Sequence, residues 1–267
     1  MKLRSFVPAT TLLAAILTLS AKASLVVTYA ESPDAVTSSL INTSLFNFDG
    51  LAANQQLNNV SWAGVGTYDK LWVHNVDTTW GDYGGAMDAA YPGGSPFTSQ
   101  GEIAGVTVAS TTLTLDSPSA YFGLWWSAGD RNNVMTFYSG DTLVAKFTSA
   151  SLMDRLSSSY YGNPRDRTLD PGEKFAFINL YGSAGTTWDK IVLSNSSYTG
   201  FESDNHTSRE GAWGTQPGET GPMPGIPLEQ VDGLIVTPIT AIPEPSGILV
   251  TGSVIALGLC IRRRSAL

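Results

Sequence analysis

The chain has 267 residues, 42% hydrophobic and only 14% charged, with a formal net charge of −8 at pH 7. An acidic balance of this size repels nucleic-acid phosphates and anionic lipid surfaces, so nucleic acid is excluded as a partner class. The single cysteine, Cys260, leaves everything before it without a disulfide, a thiolate zinc site or a thiol nucleophile.

In chain order, Met1-Lys2-Leu3-Arg4 is basic, Phe6 to Leu19 is mostly apolar, and Ala21-Lys22-Ala23 puts small residues in an A-x-A pattern. That succession reads as a secretory signal peptide over residues 1–23, with signal peptidase cutting after Ala23. Removal of Lys2, Arg4 and Lys22 takes the remainder to −11.

Residues 24–208 read as one β-rich domain. Short β-branched and aromatic runs recur between Gly, Pro, Asn, Asp and Ser clusters. Strands are expected at Leu25–Tyr29, Leu45–Phe48, Lys70–Val76, Ile103–Val108, Thr111–Leu115 and Ala120–Trp126. Val134–Tyr138 and Thr142–Phe147 alternate apolar with polar residues across the turn Ser139-Gly140-Asp141, the period of half-buried strands. Lys174–Tyr181, Trp188–Leu193 and Tyr198–Glu202 follow, and a small helix is expected over residues 150–156. About ten strands without αβ alternation predict an all-β, antiparallel two-sheet sandwich of jelly-roll, lectin-like type.

Catalytic constellations are scarce in this domain. The two histidines, His74 and His206, have no neighbouring Ser and Asp pattern of an activated triad and are expected in loops or at the surface. Neither a zinc motif nor a phosphate-cradling loop occurs. Asp49, Glu202 and Asp204 are hard oxygen donors near the first and last strands, which makes them candidate ligands for a structural calcium. Ordinary turn chemistry of Asp and Asn competes with that reading. Trp125 and Trp126, followed by Asp130, Arg131 and Asn132, have the makeup of a sugar site, with ring faces for stacking and polar groups for hydroxyls. Adjacent strand residues point to opposite faces, so at most one of the two indoles is expected in the core. The loop Thr79–Phe97, with Trp80, Tyr83 and Tyr91, is an alternative rim.

Residues 209–242 change character. Of 14 prolines in the chain, seven lie between Pro217 and Pro245, mixed with Gly, Thr and Glu, and this reads as an extended stalk. Residues 243–267 then carry Pro243-Glu244-Pro245-Ser246, the apolar run Gly247–Ile261, and Arg262-Arg263-Arg264. The run is shorter than the roughly 20 residues a permanent membrane helix needs, and the arginines after it stay on the cytoplasmic side.

This order of motif, short transmembrane helix and arginines resembles the PEP-CTERM sorting signal of bacterial exosortase substrates. The stretches Tyr121–Phe147 and Trp188–Asn205 also look like the variable β-rich domains that precede such signals. The resemblance implies an exosortase partner, a transient membrane anchor, cleavage near the Pro-Glu-Pro motif, and delivery to the cell surface or extracellular matrix. It implies a non-enzymatic structural or adhesive role in extracellular polysaccharide or biofilm. A specific carbohydrate-binding module is the alternative, and a polysaccharide-acting hydrolase comes third.

Overall fold

A computed structural model describes residues 24–74, 85–86, 96–103, 106–164, 166–183, 185–197, 200–214 and 223–228. The cleavage residues Ala21 and Ala23, the rim aromatics Trp80, Tyr83 and Tyr91, and the tail motifs Pro243–Ser246 and Arg262–Arg264 lie outside the described residues.

The strands are β1 (Ser24–Tyr29), β2 (Ser44–Phe46), β3 (Gln55–Trp62), β4 (Gly66–His74), β5 (Phe97–Ile103), β6 (Val106–Val108) and β7 (Ser110–Ser127). They continue with β8 (Asn133–Ser139), β9 (Thr142–Thr148), β10 (Ala176–Ser183), β11 (Trp188–Asn195), β12 (Phe201–Glu210) and β13 (Ile226–Pro227). One helical turn, α1 (Ala150–Met153), falls within the expected helix. The fold is all-β, and its strand pairings are antiparallel.

The main path runs β13-β1-β10-β7-β12-β5-β4-β3, with β11, β8 and β9 branching from β7 and β2 from β12. Strand β7 is the organising element because it changes partners along its length. Its first part, Ser110–Leu115, lies between β11 and β4; its second part, Tyr121–Trp126, lies between β10 and β12. Pro118, which has no N–H to give a ladder, stands between the two parts.

Burial follows that division. Leu113 and Leu115 are buried while Thr114 is exposed, so the first part shows the alternation of a half-covered strand. From Ala120 to Ser127 every residue is buried, as is all of β10 and nearly all of β12. The reason is that this part of the sheet is covered twice. On one side Leu124, Trp126, Ile178 and Leu180 join the main core with Met135, Phe137, Phe147 and Trp188. On the other, Trp125, Phe175 and Phe177 pack with Ala86, Ala30 and Val36.

Strand β3 was not expected. Its sequence QQLNNVSW is dominated by Gln and Asn, which carry no strand propensity, and it is recruited by pairing with β4. Strand β12 continues past Glu202 to Glu210 through a bulge: Asp204 faces Trp125 but Thr207 faces Gly123, one residue out of step. Asn205 sits there with φ 49°, a left-handed conformation that Asn tolerates better than most residues.

Part of the Pro-rich segment rejoins the domain. Ile226 and Pro227 pair with Tyr29 and Thr28, and the Pro224 carbonyl accepts bonds from the Thr28 hydroxyl at 2.6 Å and the Tyr181 hydroxyl at 3.1 Å. Gly66 marks a close approach between β4 and β7. A Cβ added there would stand 2.2 Å from the Thr114 carbonyl oxygen and 2.9 Å from the Leu115 Cα, both backbone atoms. Gly66→Ala is therefore expected to cost about 1–3 kcal/mol, read as a lower urea midpoint.

Candidate functional site

The two tryptophans proposed for sugar stacking are not platforms. Trp125 is 1% exposed and Trp126 is 0% exposed. They do point to opposite faces, but both faces are covered, so each is core. Trp126 donates its indole N–H to Asn133 Oδ1 at 2.6 Å, and Trp125 packs against Phe175 with centroids 5.5 Å apart. Trp125 Nε1 and the Ser127 hydroxyl are buried without a partner among the described residues.

Asp130, Arg131 and Asn132 form a surface turn in place of a pocket wall. Asp130 Oδ1 accepts the Asn132 amide at 2.6 Å, and the Asn132 carbonyl accepts the Ser196 amide at 2.9 Å. Arg131 makes an exposed ion pair with Asp154, which holds the aspartate below the ordinary carboxylate range.

The calcium candidates do not assemble. Among the described residues no three His, Cys, Asp or Glu side chains form a metal-sized group. Asp204 spends its carboxylate on backbone: Oδ1 accepts the Asn205 amide at 2.6 Å and Oδ2 the Ala86 amide at 2.9 Å. It thereby steadies the bulge and pins residue 86 over the sheet. Asp49 accepts the Asn47 side-chain amide at 2.5 Å. Turn and bulge chemistry, the competing reading, accounts for these contacts.

Neither histidine is a surface residue. The bulge at Asn205 turns His206 into the core, where it is 0% exposed among Phe48, Phe122 and Tyr68. Its Nδ1 lies 2.9 Å from the Tyr68 hydroxyl and its Nε2 2.9 Å from Ser203 Oγ, which a neutral imidazole satisfies with one donor and one acceptor. Burial lowers its pKa to about 3. His74 stacks on Phe97 and bonds Ser99 Oγ at 2.7 Å, and burial lowers its pKa to about 4. Each histidine thus has a serine partner that no spacing rule showed, but both pairs are sealed and both imidazoles are neutral at pH 7.

What the sequence did not show is a cleft of about 180 Å³ where β7 leaves β4 and joins β12. It is lined by Asn42 and Ser44, by Gly64 and Val65 of the β3–β4 turn, by Leu115, Ser117 and Ser119 of β7, and by Ser208, Arg209 and Glu210 of β12. It opens because the pairing to β4 ends at Leu115 while the pairing to β12 begins at Ser119. Its frame is rigid. Asp116 donates its amide to Val65 at 2.8 Å, and Gly211 donates to Pro118 at 3.0 Å. The Ser119 hydroxyl is bonded to the Arg209 and Tyr121 carbonyls.

No protein-family model matches the chain, and no curated protein matches it. Among solved structures it is similar to the catalytic domain of a GH87 alpha-1,3-glucanase in complex with tetrasaccharides, at a TM-score of 0.30 and 14% identity. The match covers 72% of this chain and 29% of that one. A likeness that slight carries no argument about fold family or activity.

Proposed function

We propose that this is an exported, exosortase-processed protein of the cell surface or extracellular matrix, with a structural or adhesive role in extracellular polysaccharide. The observation that carries the reading is the order of the tail: Pro243-Glu244-Pro245-Ser246, an apolar run of suitable length for a temporary handle, then three arginines. A basic and apolar leader ending in Ala21-Lys22-Ala23 supports it from the other end. The domain between them suits life outside the cell, since it holds no thiol and relies on a large aromatic core. Both histidines are buried, so neither offers an imidazole to a substrate at the surface. The β7 division, with one core shared by both of its parts, supports a two-sheet sandwich of jelly-roll type.

Intact-mass measurement on protein recovered from producing cells tests this directly. The expected product begins at Ser24 and ends near the Pro-Glu-Pro motif, and a strain lacking its exosortase retains the arginines. Recovery of a soluble intracellular chain with Met1 and Arg262–Arg264 in place would refute the proposal.

A further inference from the structure

We infer that the cleft at the β7 crossover is a binding site for one neutral sugar residue. The inference names a ligand for the extracellular role proposed above and rests on that reading only for where the sugar comes from.

Three features of the cleft point to this class. The first is preformation. The floor hydroxyls of Ser119 and Ser208 are bonded to one another and to the Tyr121 and Arg209 carbonyls, so the floor does not need to order on binding. Backbone bonds from Asp116 and Gly211 fix both ends of the crossover that opens the gap.

The second feature is unspent polar capacity on the walls. The side chains of Asn42, Ser44, Ser117 and Glu210 make no hydrogen bond or ion pair among the described residues; Asn42, Ser44 and Glu210 are exposed, Ser117 is half-buried, and all four residues line one small concavity. Hydroxyl and amide groups both donate and accept, and a carboxylate accepts two donors, which matches the paired hydroxyls of a sugar. Val65 and the largely buried Leu115 supply a small aliphatic patch for its C–H face.

The third is charge and size. Glu210 is an exposed lining residue, and the guanidinium of Arg209, itself a lining residue, lies over the Trp213 ring, 5.0 Å from its centroid. The site therefore disfavours phosphate, sulfate and uronate groups. Its volume equals that of about six waters, enough for one ring and too little to bury a chain. No aromatic ring lines it, so binding is expected to be weak, with a dissociation constant on the order of 1 mM.

Saturation-transfer NMR on the protein recovered from producing cells, with glucose, galactose, mannose and glucuronate as probes, tests the inference. At least one neutral hexose is expected to give a saturable signal, with glucuronate binding at least tenfold more weakly. Glu210→Gln, an exposed isosteric change that leaves the fold intact, and Ser117→Val are each expected to weaken the hexose at least tenfold. No saturable signal from any hexose up to about 50 mM, equal binding of glucuronate, or undiminished binding by Glu210→Gln would overturn it. Those failures leave the export reading standing, since the mass of the processed chain is measured separately.

Discussion

Between pH 7 and pH 5 the folded domain is expected to lose about 4 kcal/mol of stability. The cause is the pair of buried histidines. In the unfolded chain each binds a proton near pH 6.5. In the folded domain burial lowers His206 to about 3 and His74 to about 4. Below pH 6.5 the unfolded state therefore gains protons that the folded state refuses, and stability falls as pH falls until the folded values are reached. At pH 5 the 1.5-unit interval corresponds to about 2 kcal/mol for each histidine. Against a typical total of about 5–15 kcal/mol, that is a large fraction. Urea denaturation at pH 7, 6 and 5 measures it. His206→Gln should halve the loss over the same range, because only His74 then remains. A flat profile in the unsubstituted protein would mean that the imidazoles are accessible to water in the folded state.

Trp126→Ala is expected to destabilise the domain by about 3–5 kcal/mol, the range for deleting a large buried aromatic. The residue is 0% exposed, lies in the main core, and its indole is the donor to Asn133 Oδ1. Removing it leaves a cavity and strips a buried acceptor of its partner. For a domain of this size the melting temperature should fall by roughly 6–20 °C. Trp125→Ala should behave similarly, since Trp125 fills the second cluster between Phe175, Phe177 and Ala86. The comparison separates two explanations of any lost sugar binding. If either indole were a stacking platform, its removal would reduce binding and leave the melting temperature unchanged. The burial of both predicts the reverse: a large drop in stability, with binding at the β7 crossover affected only through unfolding.

The regular elements were legible where a strand has one wet face. Strands β8 and β9 stand near their expected positions, bury Met135, Phe137, Ala145 and Phe147, and meet at a turn with Gly140 at φ 58°, whereas Val134 is also buried and Leu143, beside the register shift at Phe137/Tyr138, is exposed. Strand β3 was not legible, because Gln and Asn signal nothing by themselves and the strand exists through its pairing with β4. The extension of β12 was hidden by Asp204-Asn205, which read as a turn or metal loop and proved to be a bulge inside a continuous strand.

Site residues were harder to read, for a single physical reason. A residue pattern reports which face of a strand a side chain occupies, but not what lies over that face. The opposite orientations of Trp125 and Trp126 could be read from adjacency. That both are buried depends on Ala30, Val36 and Ala86 arriving from distant parts of the chain. His206 is in the core because one inserted residue reverses the alternation, and the crossover cleft exists because β7 changes neighbours between Leu115 and Ser119.

The sequence alone determined the β class, the absence of thiol chemistry before Cys260, the acidic balance, and the ordered motifs at both ends. These are properties of composition and local order, which need no long-range contact. Tertiary structure decided which aromatics are core, that both histidines are held neutral, and where a preformed polar cleft opens. Each of those depends on segments far apart in the chain meeting across a sheet, and local sequence does not encode what covers a face.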